Sequence, residues 1–247
     1  MPDLPQLLLI TVVIAGAATV KGAVGFGFPL VGIPLLSAII GPRAAVPVIA
    51  VPTLLSNVIM VSRGSGSRAS AHLVLTIAGL AVGTLAGAAV MKALDPRSLS
   101  MLVGSVALAY VCATAFRLTA LVPERAGRRA APLVGLAAGL MGGATGIFAP
   151  LLASYLHLLH MAKRDFVFWI TIMFFVSNVV QVASYAHLGL YAGSVLTLAL
   201  IGCVPMAIGT WSGMVLQDRL DPEVFGRIVL GIVFVASVNL LVRGLLR

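Results

Sequence analysis

The chain has 247 residues, 60% of them hydrophobic and 9% charged, with a mean hydropathy of +1.13. A soluble domain carries roughly 25% charged residues, so this composition excludes a water-covered globule and points to an all-α polytopic membrane protein. The formal net charge of +9 is not a nucleic-acid signature, because the Lys and Arg residues fall mostly between apolar runs, where membrane proteins carry their topology signals.

The apolar runs are continuous rather than short and alternating, which argues against an outer-membrane barrel. The first, at residues 6–20, has only Asp3 before it and no basic leader, so it reads as part of the mature protein and not as a signal peptide. Further runs follow at 28–41, 44–62, 72–91 and 98–118. A polar linker at 119–131 separates this N-terminal repeat (1–118) from a C-terminal repeat (132–247). Runs recur there at 132–145, 149–161, 166–186, 191–216 and 224–243. Most reach the ~20 residues a span requires; the first two of each half read as shorter.

The two halves are similar in sequence. With a shift of 121, 12 of 37 positions between 22 and 58 are identical. Gly22-Ala23-Val24-Gly25 falls on Gly143-Ala144-Thr145-Gly146, Pro29-Leu30 on Pro150-Leu151, Arg43 on Arg164, and Ser56-Asn57-Val58 on Ser177-Asn178-Val179. With a shift of 126, Gly83-Thr84 and Gly87 match Gly209-Thr210 and Gly213, and Leu94-Asp95-Pro96 matches Leu220-Asp221-Pro222. Glycine-interrupted short segments in corresponding positions of two halves point to a transporter binding site.

Two topologies compete. If the short segments cross, there are eight spans and two parallel halves, and the flanking Lys and Arg divide 8 to 7. If each pair is a re-entrant hairpin, each half adds three spans, the halves are inverted, and the division is 5 on the terminal side against 10 on the other, with Lys21 set aside. Positive charge is expected to concentrate in the cytoplasm, so the hairpin topology is preferred, with the termini outside. The expected fold is two homologous halves, each a Gly-broken short helical pair plus three spanning helices, arranged as inverted repeats.

A helix broken at membrane depth exposes backbone groups that cost several kcal/mol each in lipid. Such a break needs protein, water or a ligand to satisfy it. Pro29 and Pro150 suit the first turn of a new helix, whose N-terminus carries about half a positive charge and free N–H donors. Two such ends facing one another would hold an anion, with Gly22, Gly25 and Gly27 in one loop and Gly143, Thr145 and Gly146 in the other. The competing reading is close helix packing through small residues, which also accounts for Gly83/Gly87 and Gly209/Gly213.

Lys21 is expected at the deep end of the first hairpin, as an anion contact; alternatively the first run spans fully and Lys21 reaches the interface. Its counterpart in the second half is Gly142. Asn57 and Asn178 are matched, mid-run amides suited to substrate oxygens or to interhelical bonding, and Gln181 falls near Asn178 on the same helix face. The seven acids all fall in expected loops or helix ends. With no mid-span carboxylate, an anionic substrate is favoured over a cation. His72, His157, His160 and His187 read as interface residues, and Cys112 and Cys203 as small packing residues. No Walker A or dinucleotide fingerprint appears, no catalytic constellation marks an enzyme, and no cofactor or metal is expected.

The segment "KGAVGFGFPLVGIPLL", its counterpart "GGATGIFAPLL" and the matched Ser-Asn pairs resemble the sulfite exporter TauE/SafE family of bacterial membrane permeases. The Gly-rich motif with its following proline maps to Gly22, Gly25, Gly27 and Pro29, then to Gly143, Gly146 and Pro150, with Phe148 standing where the first copy has Gly27. The resemblance implies secondary transport of small organic or sulfur-containing anions, of the sulfite and sulfonate type, across the bacterial inner membrane. Alternating access about the paired breaks is the expected mechanism. An anion channel and, further off, an intramembrane enzyme are the alternatives. The expected partners are a small anionic substrate and the lipid bilayer, not nucleic acid, with a homodimer left open.

Overall fold

A computed structural model describes residues 3–24, 27–63, 70–116, 129–216 and 221–246, and among them the regular elements are helices. In chain order they are α1 (Leu4–Val24), α2 (Phe28–Ile40), α3 (Pro42–Arg63), α4 (Ala71–Ala93), α5 (Pro96–Ala115), α6 (Ala131–Thr145), α7 (Ala149–Leu158), α8 (Lys163–His187), α9 (Val195–Ile201), α10 (Cys203–Leu216) and α11 (Pro222–Leu246). With α9 and α10 taken together, seven stretches among the described residues are long and apolar enough to cross a membrane. Large apolar side chains such as Leu8, Val12, Val82, Leu85, Trp211 and Val235 face outward, as a lipid-covered surface requires. Most of the expected linker at 119–131 lies outside the described residues.

Two expected elements differ. The first run is not short: α1 has 21 residues and continues through Lys21 and Gly22. Gly22 does not break the helix, because its missing side chain lets α1 lie against α10, where a Cβ would overlap the Thr210 carbonyl. The run at 191–216 divides at Gly202 into α9 and α10. Pro205 has no N–H to offer the Ile201 carbonyl four residues earlier, which weakens the helix at that turn.

Small residues set the closest contacts. On α4 and α6, Gly79, Gly83, Gly87, Gly135, Gly139 and Gly143 recur every fourth residue, and a Cβ on any of them would meet the backbone of the facing helix. Without a hydrophobic driving force in lipid, such backbone approach is what holds spans together. Gly83 lies by Leu136 and Gly87 by Leu140, so α4 and α6 run in the same direction. Gly209 lies by Ala15 and Gly213 by Thr19, so α1 and α10 do too. The pair α5 and α11 is antiparallel: Gly104 meets Ser237, while Gly244 meets Met101 and Arg97. Helix α2 folds back along α1, with Gly27 nearest Val20 and Gly32 beside Ala17.

One end of the molecule is tied by arginines that donate to helix C-terminal carbonyls, where cations are favoured. Arg43 reaches the Lys92 carbonyl (2.8 Å), Arg97 the Gly244 carbonyl (2.6 Å), and Arg243 the Ala38 carbonyl (2.7 Å). The C-terminal ends of α2, α4 and α11 therefore share one face with the starts of α3 and α5.

Candidate functional site

The site is built where two helices begin. Gly27 precedes α2 with φ 105°, a left-handed conformation that a side chain would strain, and Pro29 occupies the first turn. In the second half, α6 ends at Gly146 with φ 78°, whose N–H returns to the Gly142 carbonyl (2.6 Å). Phe148 then precedes α7, and Pro150 fills its first turn. The opening N–H groups of both helices have no intrahelical acceptor. Gly27 and Pro29 on one side, and Gly146, Ile147, Phe148 and Ala149 on the other, line one cavity of about 390 Å³.

Lys21, Asn57 and Asn178 share that cavity wall. Lys21 is only 6% exposed, enclosed by protein, while α1 is long and apolar enough to span as the alternative reading expected. Its Nζ donates to Asn57 Oδ1 at 3.2 Å, the one hydrogen bond it makes among the described residues. An ammonium has three donors, so two remain for other acceptors. Asn57 Nδ2 donates to Asn178 Oδ1 (2.6 Å), and Asn178 Nδ2 to Gln181 Oε1 (3.0 Å). Gln181 Nε2 donates to the Gly142 carbonyl (3.1 Å) and to Tyr185 Oη (2.9 Å), and Tyr185 Oη to the Gly143 carbonyl (2.6 Å). A buried polar chain thus runs from Lys21 to the end of α6. A buried network of this kind holds each side chain in one orientation when its members are satisfied.

The sequence-expected residues separate into three groups. Lys21, Gly27, Asn57, Gly146 and Asn178 are together on the cavity wall, with Gln181 behind Asn178. Gly22 and Gly143 sit in helix contacts, Gly22 against α10 and Gly143 against Thr84 of α4. Thr145 faces its own helix: its Oγ1 donates to the Met141 carbonyl (2.7 Å) and accepts from Ile147 N–H (3.2 Å), which stitches the end of α6. Gly25 lies outside the described residues. Among the described residues no group of His, Cys, Asp and Glu gathers at metal-binding spacing.

Sequence reasoning missed Tyr185, Thr53 and the cavity wall along α8. Tyr185 lies four residues after Gln181, and Thr53 four before Asn57, so helical spacing was the available signal. Phe166, Val167, Ile170, Thr171, Phe174 and Asn178 all line the cavity, one helix face followed over three turns. Their distinction is tertiary. In the 121 register Val46 matches Val167 and Ile49 matches Ile170, identical residues in both cases. Yet Val46 is 1% exposed, pressed with Ile33 against Gly146, whereas Val167 is 47% exposed. Ile49 packs on Gly32; Ile170 and Ala153, the matched pair, both line the cavity.

The Phe148 position also explains Gly142. A Cβ at Gly142 would overlap the Phe148 ring, so the space that a lysine would need in the second half is filled by an aromatic side chain.

No curated protein and no solved structure matches the chain. The family model described as "Sulfite exporter TauE/SafE" matches residues 8–240, nearly the whole length. With a multi-pass helical architecture and two broken segments converging on one polar cluster, the chain belongs to the sulfite exporter TauE/SafE family of membrane permeases.

Proposed function

We propose that the protein is a secondary transporter that moves small oxyanions of the sulfite and sulfonate type across a bacterial inner membrane. The observation that carries this reading is Lys21: a buried ammonium on a cavity wall, with one amide acceptor and, between the N-termini of α2 and α7, room for an anion. Asn57 and Asn178 supply further amide donors when the anion draws on them, and the two helix ends add backbone N–H groups and favourable dipoles. Lys21, Gly27, Asn57, Gly146 and Asn178 form the anion site; Gln181, Tyr185 and Thr145 hold its walls in place.

The halves act as inverted repeats. Support comes from the parallel pairs α1–α10 and α4–α6, because α4 runs opposite to α1 when successive helices alternate. The arginine contacts agree, since Arg43, Arg97 and Arg243 would not meet at one face if the halves were parallel. At 1.5 Å per residue, Asn57 lies about 22 Å along α3 and Asn178 the same distance along α8. The contact of these matched residues is therefore where a two-fold axis in the membrane plane would pass. Lys21, about 25 Å along α1, meets Asn57 at that depth, although α1 itself is long enough to cross the membrane.

Alternating access then exchanges two arrangements of matched residues. In the structure, Gly32, Ile49 and Val46 are packed while Ala153, Ile170 and Val167 line the open cavity. The cavity wall extends toward the N-terminus of α8, the side where positive charge concentrates and therefore the expected cytoplasmic side. Reconstituted protein tests the reading: Asn57→Ala and Asn178→Ala are expected to abolish sulfite or sulfonate flux while leaving folded protein in the membrane. Normal flux in both would remove these amides from the site. Flux that never exceeds the imposed electrochemical gradient would replace a transporter with a channel.

A further inference from the structure

A second cavity, of about 550 Å³, lies between α2 and α11 on the outer surface of the bundle. Its α11 wall is ordered along the helix. Ile228, Gly231, Ile232 and Val235 come first, then Asn239, then Arg243 toward the C-terminal end. Leu35 and Ala38 of α2 close the other side. The α11 positions recur at helical spacing and so form one face. Ile228 to Asn239 is about 16 Å along the axis, close to half of the ~30 Å hydrocarbon core. The apolar part of the groove thus has the depth of one leaflet's acyl chains.

Two features of this groove are not explained by the packing of the chain itself. Gly231 is exposed, and a Cβ there would meet nothing within 4 Å. No facing helix requires a glycine at that place, and glycine weakens a helix interior. Asn239 is exposed as well, and its amide makes no side-chain hydrogen bond among the described residues. A polar group facing lipid without a partner is costly. Arg243, one turn further, is exposed and gives one N–H to the Ala38 carbonyl (2.7 Å). A guanidinium carries five N–H donors, so others remain. From mid-membrane outward the wall therefore runs apolar, amide, guanidinium. A phospholipid presents its groups in the same order: acyl chain, ester carbonyl, phosphate.

We propose that this groove binds one anionic phospholipid, of the phosphatidylglycerol type, from the leaflet on the arginine-tied side. The phosphate pairs with Arg243. An ester carbonyl accepts from Asn239 Nδ2, and one acyl chain lies over Gly231 between α2 and α11. Charge favours an anionic lipid, because Arg43, Lys92 and Arg97 share this end of the molecule. The Asp95 carboxylate there is engaged in capping α5. A second copy of the chain fits less well: a two-fold axis along the membrane normal at this groove would bring Arg243 toward its own counterpart.

The test is native mass spectrometry of the full chain released from nanodiscs of phosphatidylglycerol and phosphatidylcholine with identical acyl chains. One retained phosphatidylglycerol per chain is expected, preferred over phosphatidylcholine by about fivefold, the weight of one basic residue at an anionic membrane surface. Arg243→Gln should remove that preference and Arg243→Lys should keep most of it. Gly231→Phe, which fills the groove, should lower retention of both lipids. Asn239→Leu should weaken retention without changing the headgroup preference. Equal retention of the two lipids by the unaltered chain, or an unchanged preference in Arg243→Gln, overturns the headgroup assignment. Unchanged retention in Gly231→Phe overturns the groove. A cross-link between cysteines placed at Val235 of two chains, lost on adding Gly231→Phe, gives the groove to a second copy and overturns the lipid.

Discussion

The two halves carry matched motifs and use them differently. In the first, Lys21 stands before the break and Gly27 after it. In the second, Gly142 stands before the break and Phe148 after it, the ring occupying the place where a second lysine would go. One half thus contributes a charge and the other fills the equivalent space with an apolar surface. The same asymmetry extends to identical residues: Val46 is buried and Val167 exposed. Matched residues of the two halves thus pack differently within one structure.

The largest effect should come from removing the unmatched charge. Lys21→Met is expected to weaken anion binding by about ten- to a hundredfold, the range for losing a hydrogen bond to a charged group, measured by titration with sulfite. Lys21→Arg is not expected to restore it, since the planar guanidinium needs a different geometry. Retention of full affinity by Lys21→Met would make the two halves equivalent at the site.

Exchanging the halves' solutions sharpens the comparison. Gly142→Lys alone places atoms inside the Phe148 ring and is expected to cost roughly 1–3 kcal/mol or more by overpacking. The double variant Gly142→Lys, Phe148→Gly removes that clash and should recover most of the thermal stability lost. If the double variant is no more stable than the single one, Phe148 is not what excludes a lysine there. By contrast Gly27→Ala, with only an ordinary contact to Val20 but φ 105°, should cost about 1–2 kcal/mol through backbone strain.

Accessibility tests the packing of identical residues directly. Cysteine at Val167 or Ile170 should react with an impermeant maleimide an order of magnitude faster than cysteine at Val46 or Ile49. Conditions that drive turnover should narrow the difference, as expected when a population divides between two packings. Equal labelling of all four under resting conditions would end the one-sided reading.

The smallest effect belongs to a feature the halves share. Asp95 caps α5 by accepting from Arg97 N–H (3.0 Å), Ser98 N–H (3.1 Å) and Ser98 Oγ (2.6 Å), and Asp221 accepts from Val224 N–H (3.3 Å) at the start of α11. The Ser98 hydroxyl, then the backbone N–H groups, hold the Asp95 carboxyl below its ordinary range. Its contribution is therefore present above the unfolded carboxylate pKa of about 3.9 and is lost as pH falls through the lower folded value. Asp95→Ala should lower the melting temperature slightly at neutral pH and not at all once the carboxylate is protonated.

Composition alone determined that this chain is helical and lipid-embedded, because 9% charged residues cannot cover a water-facing surface. Local pattern placed the breaks, since glycine with a following proline is legible without any partner; its charge in an apolar run singled out Lys21, and spacing singled out Asn57, Asn178 and Gln181. The length of α1 was not legible: Gly22 reads as a helix breaker until α10 is seen against it. Nor was the fate of Thr145, whose hydroxyl turns back on its own helix instead of facing the cavity. Only the tertiary structure decided that Asn57 touches Asn178, because no local signal reports which residues of the two halves meet across the fold. The difference between Val46 and Val167 was likewise tertiary. Identical residues in identical local sequence have identical propensities, so only the packing of the surrounding helices could open a cavity beside one and close it over the other.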